Sequence, residues 1–136
     1  MATFVASKAI EITKIDDAEA AAKKANANPT PANKAAAAEA ALIAGQAIAR
    51  TKTNKWKMAA GSAAETARAN PTRETKVAAA SAAVSSARAS YEEAKLVHDS
   101  NRSSATRQAM DKAGQALELA EISFTAVKAE LRKLEV

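Results

Sequence analysis

The sequence predicts an all-α protein, an antiparallel up-down bundle of about four long alanine-rich helices with coiled-coil-like packing. Three observations predict it. Forty of the 136 residues are alanine, the strongest helix former. A helix-breaking tripeptide occurs twice, as Asn28-Pro29-Thr30 and Asn70-Pro71-Thr72. Between the breaks, apolar residues alternate at spacings of three and four, the signature of supercoiled helices that meet along a narrow seam.

The breaks set the elements in order. Proline disfavours helical geometry in the residue before it, so one helix ends there. It is accepted in the first turn of the next helix, which Asn or Thr can cap. The flanks repeat as well: Lys34 matches Lys76, Ala36 to Ala38 match Ala78 to Ala80, and Leu42 matches Val84. A third break is expected at Asp99 to Ser104, which is polar throughout. The result is a single helical domain over residues 1–136, with helices at about 4–27, 31–68, 72–98 and 104–134. The second is expected to be continuous. Thr51, Thr53 and Asn54 weaken it, but the heptad phase runs through them.

The seams follow from that phase. In the last helix the seam is Met110, Ala113, Leu117, Ala120, Phe124, Val127, Leu131 and Leu134. In the third it is Val77, Ala80, Val84, Ala87, Tyr91, Ala94 and His98. In the second it is Ala35, Ala38, Leu42, Gly45, Ala49, Lys52, Trp56, Ala59 and Ala63, with Lys52 the single polar member. The first helix has a weaker face of Val5, Ile12, Ile15 and Ala22. Alanine alternating with larger residues lets backbones approach at the short end of the usual interaxial range of about 8–10 Å.

The core is thin. Leu, Ile, Val and Phe total 20 residues. A buried alanine methyl contributes about 0.8 kcal/mol, against about 1.5–3 kcal/mol for a buried Leu or Phe side chain. Two stretches nonetheless carry more apolar surface than a lone bundle needs. Ala35 to Ala49 is interrupted only by Glu39 and Gln46. The last helix bears a second stripe, Leu119, Ile122, Ala126 and Ala129, away from its seam. Both point to contacts with copies of the chain or with other protein subunits.

Chemistry is sparsely signalled. Without cysteine there is neither a disulfide nor a thiolate metal site. No cofactor or metal is expected. His98 is the one histidine, and the residue three before it is Lys95, so a Glu-x-x-His diiron pattern is absent. Gly45, Gly61 and Gly114 are isolated, unlike a phosphate-binding loop. Asp16-Asp17-Glu19 and Glu92-Glu93 read as solvated helix faces. The threonines follow no regular helical repeat, which argues against an ice-binding face. The chain is not expected to be an enzyme.

The most distinctive polar stretch holds Arg50, Lys52, Lys55, Trp56 and Lys57, inside an acid-free window from Ala40 to Ala64. Such cations could contact phosphates of nucleic acid or another polyanion while the indole stacks on a base. The plain alternative makes Trp56 a seam residue and the lysines a wet face. A membrane surface is the weakest reading of the stretch. Ala35 to Ala49 is too short to span a bilayer, and no secretory signal is seen at the N-terminus. A cytoplasmic or virion location is favoured.

In composition the whole chain resembles small helical structural proteins of tailed bacteriophages and other bacterial coiled-coil proteins. No motif accompanies the resemblance, so it implies a role and transfers no site residue. The expected function is that of a structural or assembly protein, packing into a homo-oligomer or larger complex such as a virion. The alternative is polyanion binding through residues 50–57.

Overall fold

A computed structural model describes the backbone of residues 2–135 and the side chains of residues 3–133. Of the described residues, 93% are helical and none lies in a strand. The four helices are α1 (Ala2–Ala27), α2 (Pro31–Ala69), α3 (Arg73–Ser100) and α4 (Ser104–Glu135), each packed against the next. The third break is tighter than the sequence implied, because α3 continues through Asp99 and Ser100.

All three turns use one hydrogen-bond scheme. Thr30, Thr72 and Ser103 precede α2, α3 and α4, and their hydroxyls accept the backbone N–H of Asn33, Thr75 and Thr106 at 3.1–3.2 Å. The side chains of Asn33, Thr75 and Thr106 reach back to the carbonyl oxygens of Asn28, Asn70 and Asn101 at 2.7–2.8 Å. Each cap carbonyl then accepts the N–H of a cation, Lys34, Lys76 or Arg107. Orphan donors at three helix starts are satisfied in the same way. The third turn, Asn101-Arg102-Ser103-Ser104-Ala105-Thr106-Arg107, is therefore a copy of the other two without their proline.

Helix α2 is continuous through Thr51–Asn54. The hydroxyls of Thr51 and Thr53 donate to the carbonyls of Ala47 and Ala49, both at 3.0 Å, so the threonines stay helical without stranding a polar group. At 39 residues the helix is about 58 Å long.

The chain divides into two compact units, residues 1–54 and 55–136. In the first, α1 and the start of α2 form an antiparallel hairpin. The buried or half-buried line of α1 is Phe4, Ser7, Glu11, Lys14, Ala18, Ala21 and Ala25. That of α2 is Ala37, Ala40, Ala44, Ala47 and Thr51. This corrects the expected faces. Val5 and Ile12 are 61% and 53% exposed, Ala22 is exposed, and Ile15 alone of that face is half-buried. On α2, Ala38 and Leu42 are exposed, and Gly45 is half-buried. Small residues at Ser7, Ala18, Ala21 and Ala25 set the close approach. Serine and alanine let the backbones come close enough for Thr51 to reach a carbonyl of α1, which a facing row of isoleucines would prevent. Glu11 is buried on this line, and the Lys8 ammonium lies 3.2 Å from its carboxylate.

In the second unit, α3 and α4 are antiparallel. Val84 and Leu131 are buried, and Val77, Tyr91, Met110, Leu117 and Phe124 are half-buried, all along the heptad lines. Leu134 lies outside the described side chains. Small residues again set the approach. A Cβ at Gly114 would lie 3.2 Å from Cε1 of Tyr91. Arg88 and Glu121 pair across the two helices at 3.5 Å. The end of α2 joins them: Ala67, Lys76, Ala79, Val127, Glu130 and Leu131 line one small cavity of about 270 Å³. Helix α3 carries a second buried or half-buried line, Thr75, Ala79, Ala82, Ser86, Ala89, Glu93 and Leu96.

Candidate functional site

Helix α4 has two faces. One is the seam towards α3. On the opposite side Leu119, Ile122, Ala126 and Ala129 are all exposed, Leu119 to 65% and Ile122 to 58%. Glu118, Glu121, Ile122, Thr125, Ala126 and Ala129 line a shallow groove of about 450 Å³ that runs from this stripe to the flank where Glu121 meets Arg88. The hydroxyl of Thr125 donates to the Glu121 carbonyl at 3.0 Å. Glu118 and Arg132 stand on one flank of the stripe, seven residues either side of Thr125. Gln115 and Lys133 continue the stripe at its two ends. The face is thus an exposed apolar strip with polar ends and a charged flank.

The basic stretch does not converge. Arg50 and Lys57 are seven residues apart and share one side of α2. Lys52 and Lys55 occupy another side, and all four are exposed. Trp56 is half-buried, as a seam residue would be, leaving only part of its indole for stacking.

Three other cations do come together, and the sequence did not single them out. Arg73 and Glu74 at the start of α3 line a groove with Lys128 and Arg132 near the end of α4, over a floor of Val77, Ala78 and Leu131. Its volume is about 590 Å³. The ammonium of Lys128 also sits 4.5 Å from the Phe124 ring centroid. Arg73 lies 55 positions before Lys128, so only the antiparallel α3–α4 pairing brings it to Lys128 and Arg132. A sequence signal existed in the basic last turn of one helix and the Arg at the start of its neighbour.

His98 is engaged structurally. Its Nδ1 lies 2.9 Å from the Thr106 hydroxyl. That hydroxyl also accepts the Ser103 N–H and lies within hydrogen-bond distance of the Asn101 and Ser103 carbonyls and of the Ser103 hydroxyl. The ring thus ties the end of α3 to the start of α4. Among the described residues no group of three or more His, Asp or Glu could hold a metal ion. No described helix is long and apolar enough to cross a membrane. No protein-family model, curated protein or solved structure matches the chain.

Proposed function

We propose that the protein is a non-enzymatic structural or assembly component, packing into a homo-oligomer or a larger protein complex. One observation carries this reading. Among the described residues ten large hydrophobic side chains are exposed, on all four helices, whereas the buried apolar residues are Ala44, Val84, Ala89 and Leu131. Single exposed leucines are ordinary, but so unfavourable a ratio leaves the folded chain with much apolar surface and little core. Covering that surface stabilises the fold by mass action. The rigid alanine-rich rods supply the mechanism, since their small side chains allow close docking of further helices. The composition favours a virion as one such complex.

Polyanion binding through Arg50, Lys52, Lys55, Trp56 and Lys57 has weaker support, because these cations are divided between two sides of α2. Mass in solution tests the assembly reading. Light scattering over a concentration series is expected to give a mass above the 14.0 kDa of one chain. A single-chain mass at every concentration would sink the homo-oligomer.

A further inference from the structure

The outer stripe of α4 has a polarity along its length. Its N-terminal half is large, Leu119 and Ile122, and its C-terminal half is small, Ala126 and Ala129. Gln115 and Lys133 bound it, and Glu118 and Arg132 lie on the same flank. We propose that this stripe is a self-docking surface, on which α4 of a second copy packs antiparallel about a two-fold axis level with residue 124. The inference rests on the assembly reading and names its interface.

The register follows from the side chains. Turned antiparallel about that level, Leu119 meets Ala129 of the second copy and Ile122 meets Ala126. Every large knob then enters a hole walled by alanine, and the two-fold axis repeats each contact. At the edges Gln115 meets Lys133, which closes the apolar strip with a hydrogen-bonding pair. On the flank Glu118 faces Arg132, an opposite-charge pair made twice. In antiparallel coiled coils this flank meets its own equivalent, so the pairing requires no further adjustment.

Parallel docking fits worse on each count. Leu119 would oppose Leu119 while Ala126 and Ala129 faced one another across a gap. Lys133 would confront Lys133. Glu118 would have no cation opposite. The structure leaves these residues exposed, and the main seam of α4 is occupied separately by α3. Docking therefore requires no rearrangement of the fold.

The test is sedimentation equilibrium of the full chain with three sets of variants, each checked for unchanged helicity by circular dichroism. Wild type is expected to self-associate reversibly. Leu119→Glu with Ile122→Glu is expected to weaken association by about tenfold or more, since four apolar side chains leave the interface. Glu118→Arg alone and Arg132→Glu alone should each weaken it, and the two together should restore it. An oligomer unaffected by the Leu119 and Ile122 changes would overturn the α4 interface while leaving the assembly reading intact. Loss of association that the double charge exchange fails to restore would overturn the antiparallel register. A wild-type monomer at all concentrations would overturn the interface and the homo-oligomer together.

Discussion

The Thr51 hydroxyl lies 3.1 Å from the carbonyl oxygen of Ser7, 44 residues earlier in the chain. The same hydroxyl is 3.0 Å from the Ala47 carbonyl of its own helix, so one proton is shared between a local and a tertiary acceptor. Thr51 and Ser7 are both buried. A residue type that weakens helices in isolation here joins two of them.

Thr51→Val keeps the branched shape and removes the shared proton. The Ser7 carbonyl retains its bond within α1, so no buried acceptor is orphaned. Destabilisation of about 0.5–1.5 kcal/mol is expected, the net worth of a single hydrogen bond. Chemical denaturation would measure it. A neutral or stabilising outcome would mean that the α1–α2 contact rests on packing alone.

Two glycines separate helix propensity from packing. Nothing lies within 4 Å of a Cβ placed at Gly61, so Gly61→Ala should stabilise by about 0.8–1.0 kcal/mol. At Gly114 the same Cβ meets the half-buried Tyr91 ring at 3.2 Å, so Gly114→Ala should gain less or lose. The two melting temperatures give the comparison. Equal gains would show that Tyr91 yields freely and that the α3–α4 approach does not depend on glycine.

Capping predicts a second ordering. Thr72→Ala removes the acceptor for the Thr75 N–H and should cost about 1 kcal/mol. Thr106→Val removes the bond to the Asn101 carbonyl, the acceptor for Ser103 N–H and the partner of His98 together. It should therefore cost more than Thr72→Ala in urea unfolding. The reverse order would show that the His98 contact contributes nothing.

Lys52→Glu, Lys55→Glu and Lys57→Glu in one chain should leave helicity nearly unchanged, since all three side chains are exposed. Because the cations do not share a face, retention on immobilised DNA should be weak in the wild type and lost at moderate salt. Strong retention that the triple variant abolishes would restore the polyanion reading.

The sequence by itself determined the helices. Asn-Pro-Thr at 28 and 70 terminates one helix and caps the next through bonds spanning only a few residues, which is why both breaks are legible without a fold. The third break was legible as polar, but its kinship with the others lay in Thr106 and Arg107, outside the tripeptide. The α3–α4 seam was legible too, because its large residues keep a strict spacing from Val77 and Met110 onward. Tertiary structure alone decided which face of α1 and of the first half of α2 is buried. There the sequence offers isoleucines on one line and serine, glutamate and alanine on another, and hydropathy favours the wrong one. The folded hairpin buries the line that carries Ser7, Ala18, Ala21 and Ala25, because close backbone approach depends on side-chain size, and size complementarity exists only once two helices are side by side. The Arg73, Lys128 and Arg132 groove was hidden for the same reason, since Arg73 joins the two α4 cations only when α4 returns along α3.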